Sequence, residues 1–144
     1  MIILINYYIF INKMGFYMYI IPPGIILENN SEVTKKYCTI NDIYINNIMV
    51  NGNETVNIDL ELYIYESYEE RLVRDDYLMY MSFSLTDLIN KNISENLWTK
   101  CYIKIKEQLL NKNTQYLKNS LNLGENDTIP TQYQYLLEID DHFN

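Results

Sequence analysis

The chain has 144 residues, of which 48% are hydrophobic, which is typical of one packed globular domain and not of a disordered chain. Its formal net charge of −8 at pH 7 argues against general nucleic-acid binding and against docking on anionic lipid, because both need an excess of lysine and arginine. Two cysteines and one histidine are too few for most zinc sites built from Cys and His alone. We expect no metal, no cofactor and no direct contact with nucleic acid or membrane.

Residue usage is strongly biased towards amino acids with A+T-rich codons. The chain contains 21 Ile, 19 Asn and 15 Tyr but no Ala. The bias indicates a very A+T-rich genome, such as those of low-GC bacteria and their phages, some large eukaryotic viruses and some protozoa. Many of the Ile and Asn choices are therefore mutational and carry no structural meaning.

Residues 1–27 are almost wholly apolar or aromatic, and neither apolar run reaches the roughly 18 residues of a membrane span. Three interpretations stay open: a buried strand, a signal or anchor, or upstream sequence preceding a true start at Met14 or Met18. We expect the remainder, residues 28–144, to form a single α+β domain.

The middle of the chain predicts a β-hairpin. Residues 33–40 and 42–50 are expected to be strands, the second with Ile43 and Ile45 on one face and a bulge at Asn46 and Asn47. Asn-Gly at 51–52 predicts a tight hairpin turn. Residues 56–65 alternate strictly between apolar and polar side chains, which predicts a strand with one face in the core and one in water.

The charged segment 66–76 is expected to be an exposed loop, residues 77–84 a strand, and residues 84–87 a capped turn. A helix is predicted from Asn92, with Glu95 in a capping box, to Lys112. Its apolar stripe recurs every four residues and is widened by Trp98, Tyr102 and Ile103. Residues 114–121 predict a further short helix that stops at 123–124, residues 131–139 a last strand, and residues 140–144 a tail.

These elements predict an α+β fold: an antiparallel sheet or small sandwich of five to six strands with one long amphipathic helix packed on it. Charge is segmented along the chain, with net −8 over residues 41–90 and net +4 over residues 91–120. Either the basic helix lies beside the acidic strands of its own chain, or the two belong to a charge-complementary stack of copies.

No set of residues predicts catalysis. The lone His142 follows Asp140 and Asp141 close to the last residue, where chains are usually mobile. The acids of the 66–76 segment lack the spacing of a calcium loop and lie beside two arginines. Cys38 and Cys101 are expected to be reduced, buried thiols, and we expect the protein not to be an enzyme.

The tyrosines suggest a partner surface, because amphipathic rings are favoured at protein–protein interfaces. Tyr63 and Tyr65 occupy the polar face of the best-defined strand, and Tyr133 and Tyr135 share one face of the last predicted strand. We take these four tyrosines as the candidate contact surface.

The order of features from about residue 39 to 110 resembles a small structural protein of tailed-bacteriophage virion gene clusters. A strand with spaced Ile leads through a turn to the alternating strand, which ends in Tyr-Glu-Ser-Tyr-Glu at 65–69. Tyr-Met-Ser-Phe-Ser at 80–84, Asp-Leu at 87–88 and a helix with Tyr102 and Lys104 follow. The resemblance implies a non-enzymatic part of the head, neck or tail that works as repeated copies in the virion, made in the host cytoplasm.

Three functions are consistent with the sequence. The first is a virion or assembly protein that acts through contacts between copies, as a homo-oligomer, or with other virion proteins. The second is a small acidic inhibitor of a host nucleic-acid enzyme, whose carboxylates imitate phosphates. The third, a secreted or anchored protein, requires residues 1–27 to be a leader.

Overall fold

The computed structural model describes residues 14–21, 34–74, 76–86 and 97–143. It confirms the α+β class: five antiparallel strands form one sheet in the order β4-β3-β2-β1-β5, and one long helix packs on one of its faces. In chain order the elements are β1 (Met14–Tyr19), β2 (Lys35–Val50), β3 (Asn53–Tyr65), α1 (Tyr68–Arg74), β4 (Met79–Thr86), α2 (Leu97–Ser120), a 3₁₀ helix (Thr131–Leu137) and β5 (Ile139–Phe143).

The predicted hairpin is confirmed. β2 and β3 are joined by Asn51 and Gly52, whose φ angles of 51° and 79° are both positive, as a primed two-residue turn requires. The register continues directly into the turn, with Val50 opposite Asn53. The hairpin fixes which residues of the two strands lie side by side.

The alternation of β3 is also confirmed and builds the main core. Its apolar members point towards α2 and are at most 1% exposed: Ile58, Leu60, Leu62 and Ile64. From the helix, residues spaced three or four apart meet them: Cys101, Tyr102, Ile105 and Leu109. Ile103, expected to widen this stripe, is instead 56% exposed, because it lies on the outer surface of α2.

The alternation of side chains between the two faces of β2 is interrupted at an earlier residue than the sequence predicted. Its pairing with β3 shifts between Ile40 and Asp42, so the extra residue is Asn41, and the register across Asn46 and Asn47 is regular. The shift lets Ile40 and Ile43, three residues apart, both face the core. The predicted bulge at 46–47 is therefore wrong, although the prediction that Ile43 and Ile45 share a face is confirmed by their pairing with β3.

Part of the apolar N-terminal segment belongs to the sheet. β1 lies between β2 and β5 and pairs with both, and its Phe16 and Met18 are fully buried. The strand interpretation is thus confirmed for these residues, which share one sheet with strands from beyond the expected boundary at residue 28. The interpretations of residues 1–13, the predicted helix start at Asn92 and the Asp-Leu turn at 87–88 lie outside the described residues.

The hydroxyl group of Tyr102 is inserted where β1 and β2 separate. Their register ends at Phe16 opposite Cys38. Beyond this pair, the Ile40 N–H donates to the Tyr102 hydroxyl at 3.0 Å, and that hydroxyl donates to the Met14 carbonyl at 3.0 Å. The Thr39 hydroxyl donates to the same carbonyl at 2.8 Å. A helix side chain therefore satisfies the backbone groups that the phase change in β2 leaves without strand partners.

We expect Tyr102→Phe to lower the free energy of unfolding by about 1–3 kcal/mol, because it leaves the buried Ile40 N–H without an acceptor. Urea denaturation followed by far-UV circular dichroism measures this. Tyr116→Phe on the same helix is the matched control, since its hydroxyl has no hydrogen-bond partner among the described residues and the change should stay within about 0.5 kcal/mol. Equal effects of the two substitutions would contradict the role of the bridge.

Two connections differ from the sequence prediction. Residues 68–74 form the short helix α1 and not a loop, with Ser67 Oγ accepting from the Glu70 N–H at 3.1 Å as an N-cap. Residues 84–86 continue β4, so the capped turn expected there is wrong. The charge of residues 68–74 did not distinguish an exposed helix from a loop, and the Ser and Thr that flank the buried Leu85 suit a strand as well as a turn.

α2 is one helix of 24 residues, whereas the sequence predicted two. Asn113 lies at the predicted break but is buried, and its Nδ2 donates to the Tyr19 carbonyl at the end of β1 at 2.8 Å. The helix ends at Ser120 and is followed by Asn122, which has a φ of 55°, with the Leu123 N–H donating to the Lys118 carbonyl. Asn122, and not Gly124, therefore supplies the left-handed residue that ends the helix.

The last predicted strand is displaced along the sequence. Thr131–Leu137 is a 3₁₀ helix and the strand is Ile139–Phe143, in the segment expected to be a tail. A period of three places Tyr133 and Leu136 on the same side, where they pack with Ile21, Leu117 and Ile129 in a second core. The alternation in residues 131–139 was therefore misleading.

Candidate interaction surface

The face of the sheet opposite α2 is rich in tyrosine. The strand registers place seven rings there: Tyr17, Tyr19, Tyr37, Tyr44, Tyr63, Tyr65 and Tyr80. Two more, Tyr68 and Tyr77, reach it from the segment between β3 and β4, as their ring contacts show. Nine of the fifteen tyrosines thus lie on one side of the molecule.

One half of this face is covered by α1 and by the His142 side chain of β5. The Tyr37 ring is fully buried between the rings of Tyr17, Tyr68 and His142, at centroid distances of 5.3, 5.4 and 5.6 Å. The Tyr68 N–H donates to the Tyr17 hydroxyl at 3.0 Å, which ties α1 to the sheet. Burial raises the pKa of the Tyr37 hydroxyl. This half is a small aromatic core, separate from the second core described above, and not a contact surface.

The other half is open. The Tyr63 ring packs against that of Tyr77 with the centroids 4.4 Å apart and the planes tilted by 50°, and its centroid lies 6.1 Å from that of Tyr80. Tyr44, Tyr77 and Tyr80 are each about half exposed. Three carboxylates share this half. We call the whole set the open aromatic face: Tyr44, Tyr63, Tyr77, Tyr80, Asp42, Asp59 and Glu61.

Hydrogen bonds within the sheet hold the carboxylates of the open aromatic face in place. Asp59 accepts from the side chains of Asn46, Asn57 and Ser84 at 2.8–3.2 Å. Glu61 accepts from the Tyr63 hydroxyl at 3.4 Å, and partial burial together with this carboxylate raises the pKa of Tyr63. Among the described residues, no lysine or arginine pairs with these carboxylates, which leaves them able to meet a cationic partner group.

A depression of about 250 Å³ lies on the Tyr44 side of the open aromatic face, and its lining includes Tyr44, Asp59, Glu61, Ser82 and Ser84. Aromatic rings, carboxylates and hydroxyl groups in this arrangement resemble the centre of a protein–protein interface, where rings supply contact area and polar groups supply orientation.

The four tyrosines expected to form a partner surface do not lie together. Tyr63 belongs to the open aromatic face. Tyr65 is only 1% exposed, because the α1 side of the sheet covers it. Tyr133 and Tyr135 lie on the 3₁₀ helix, where Tyr133 packs on the second core and Tyr135 contacts the ring of Tyr19 at 5.7 Å. As a single surface, the predicted set is therefore wrong.

Asp140, Asp141 and His142 do not converge. On β5 they alternate between the two faces of the sheet. Asp140 pairs with Lys35 at 2.6 Å, Asp141 pairs with Lys106 of α2 at 2.6 Å, and His142 lies among tyrosine rings. The hydrogen bond that Lys35 donates to Asp140 raises the pKa of Lys35. These residues attach β5 to its neighbours.

The remaining chemical candidates are also structural. Glu69 and Glu70 lie on the exposed side of α1, and Glu70 is 3.8 Å from Arg74; Asp75 lies outside the described residues. In residues 14–21, 34–74, 76–86 and 97–143, no group of three or more His, Cys, Asp or Glu is placed to hold a metal ion. Within the same ranges, no helix is long and apolar enough to cross a membrane.

The two cysteines are buried and free, in agreement with their predicted burial. Burial raises the pKa of both thiols, that of Cys101 to about 11. Both are therefore protonated and poorly reactive near neutral pH.

The lysines of α2 lie on the opposite side of the sheet. α2 carries five lysines and one glutamate. Of these lysines, only Lys106 forms an ion pair with one of the described strands, while Lys104 pairs with Glu107 on the helix itself at 3.7 Å. The helix thus neutralises only one acid of the described strands, and the open aromatic face keeps its negative charge.

Sequence reasoning missed Tyr44, Tyr77 and Tyr80. The usable signal was the hairpin: once Asn51-Gly52 fixes the register, Tyr44 lies opposite Asp59 on the same face as Tyr63. Tyr80 lies opposite Tyr63 in the next pair of strands. Comparison with protein-family models, curated proteins and solved structures finds no match to this chain.

Proposed function

We propose that this protein is a non-enzymatic structural or assembly protein of a tailed-phage virion, which acts through protein–protein contacts made by its open aromatic face. The observation that carries the proposal is a sheet surface with three half-exposed tyrosine rings packed around Tyr63, and three carboxylates without a cationic partner among the described residues. Tyrosine supplies large contact area at low entropic cost. The phage assignment rests on the resemblance of residues 39–110.

Mass spectrometry of purified particles from a culture carrying this gene tests the proposal. We expect the protein in stoichiometric amounts. The double variant Tyr44→Ser with Tyr80→Ser should reduce its amount in particles at least roughly tenfold, because large aromatic side chains carry most of the binding energy of such surfaces. Ile103→Ser, which removes an exposed apolar side chain on the far side of the sheet, is the matched control and should leave incorporation unchanged.

A second function is favoured by the distribution of charge. The carboxylates of Asp42, Asp59 and Glu61 share one face, and the lysines of α2 lie beyond the opposite face. Such segregation suits an acidic inhibitor that occupies the basic cleft of a nucleic-acid enzyme. This function predicts a protein that is made in infected cells but absent from particles. It also predicts that Asp42→Asn with Glu61→Gln, and not Tyr44→Ser, abolishes inhibition of the target enzyme.

A further inference from the structure

We propose that two copies of this chain join through their β4 strands, edge to edge and antiparallel, to form one continuous ten-stranded sheet. This inference deepens the proposed function and rests on it for its biological role, since it names how one copy contacts another. The juxtaposition that carries it is an uncharged edge strand beside an apolar groove that α2 leaves open.

The two edges of the sheet differ in chemistry. β5 is five residues long and carries two aspartates, both ion-paired, which is a common protection against strand addition. β4 has eight residues with no charge, no proline and no register shift against β3. Its outer backbone groups have no strand partner among the described residues, because β4 ends the sheet.

Apolar surface is concentrated around this edge. Of the eleven large hydrophobic side chains that are exposed among the described residues, four lie at the start of β4 or directly before it: Tyr77, Leu78, Met79 and Tyr80. Such concentration on one edge marks an interaction site more often than scattered exposure does.

α2 does not fully cover β4. A groove runs between them, with a cavity of about 400 Å³ that includes Met79, Met81 and Leu109. Further along, a second cavity of about 510 Å³ includes Phe83 and Lys112. The core-facing residues Met79, Met81 and Phe83 are only partly buried. A strand added at the edge of β4 would place its own apolar side chains beside them.

The side chains of β4 are complementary to those of a second β4 strand in antiparallel orientation. We therefore take a second copy of the chain as the partner that binds this edge. In an antiparallel pair centred on Ser82, Met81 lies opposite Phe83 of the second copy, and Met79 lies opposite its Leu85. On the other face Tyr80 lies opposite Ser84, and the two Ser82 side chains meet. Apolar side chains therefore meet apolar ones on the α2 side, hydroxyl groups meet on the other, and no charge is buried. The two open aromatic faces become continuous.

Engineered cysteines test both the contact and its register. Directly opposite residues in an antiparallel pair have Cα atoms roughly 4.5–5.5 Å apart, within disulfide range. We therefore expect Ser82→Cys to form a covalent dimer under mild oxidation. Tyr80→Cys alone should not, because its two copies lie roughly 13 Å apart along the strands, whereas Tyr80→Cys mixed with Ser84→Cys should cross-link. The native cysteines are buried and do not compete.

Light scattering after size exclusion gives the second measurement on the full chain. The wild type should have twice the 17.3 kDa mass of one chain. Ser82→Lys places two like charges opposite each other and should weaken dimerisation at least roughly tenfold, and Ser82→Thr is the conservative control that should keep the dimer. Circular dichroism checks that each variant is folded.

Three outcomes would overturn the inference: a wild-type chain that is monomeric at every concentration, a dimer that Ser82→Lys leaves intact, or cross-linking of Tyr80→Cys alone as efficient as that of Ser82→Cys. A monomeric chain would assign the edge to a strand from a different protein. If the protein is monomeric but stoichiometric in particles, only this inference is contradicted. If it is dimeric but absent from particles, only the proposed function is contradicted.

Discussion

A chain of residues 18–144 is expected to lose its cooperative fold, because it lacks most of β1. Four of the five pairs that attach β5 to the sheet involve Met14, Gly15, Phe16 and Tyr17, so β5 would lose its anchor. The fully buried Phe16 ring and its edge-to-face contact with Tyr102 at 6.1 Å would also be lost. Removal of one buried Phe side chain alone typically costs about 3–5 kcal/mol, which is comparable to the total stability of a small domain.

The matched reference is the chain of residues 14–144, which contains every described residue. Near-UV circular dichroism and thermal unfolding should show a single sharp transition for the reference and none for residues 18–144. The experiment also separates the two internal start positions that the sequence suggested, since Met18 lies within β1 and Met14 begins it. A sharp transition for residues 18–144 would contradict the place of β1 in the sheet.

Local sequence signals predicted those elements whose register is set locally. Asn51-Gly52 imposes positive φ angles whatever surrounds it, and the β3 alternation spans enough residues to assign one face to the core. The long helix was visible because Cys101, Ile105 and Leu109 recur at helical spacing. In each case the pattern and the fold are consistent within one element.

Elements that depend on distant partners were not predictable in the same way. The phase change at Asn41 becomes apparent only when β2 is aligned with β3, and the Tyr102 hydroxyl group has a partner only because β1 ends beside it. The alternation of residues 131–139 gives way to a 3₁₀ helix because Leu117 and Ile21 offer a pocket to Leu136. Tertiary packing overrides a weak local pattern in such segments.

The residues of the candidate surface were also predictable only where local sequence determines their exposure. Tyr63 was predicted from a strand with a clear polar face. Tyr65, two residues further on, has the same pattern but lies under the α1 side of the sheet and is buried. A tyrosine on a strand's polar face is therefore available for contact only where no later element covers it. Because residues 66–76 were predicted to be a loop, the burial of Tyr65 by α1 could not be foreseen.

Gly15→Ala is expected to destabilise the protein by about 3 kcal/mol, the upper end of the usual cost of overpacking. A methyl group on Gly15 would overlap the hydroxyl and ring carbon atoms of Tyr37. The Tyr37 ring has little freedom to move, because Tyr17, Tyr68 and His142 surround it. The glycine is thus required by the close approach of a ring and not by its backbone conformation. Urea denaturation compares the free energies of unfolding.

A double-mutant cycle isolates the cause. Tyr37→Leu removes the ring's outer atoms and is itself destabilising, but in that background Gly15→Ala should cost less than about 1 kcal/mol, which gives a coupling energy of about 2 kcal/mol. Additive effects would show that the alanine acts elsewhere, for example on strand pairing. A strong coupling would show that β1 and β2 are held in register by the fit of Tyr37 over Gly15. This contact would then anchor the closed half of the sheet, beside which the open aromatic face is built.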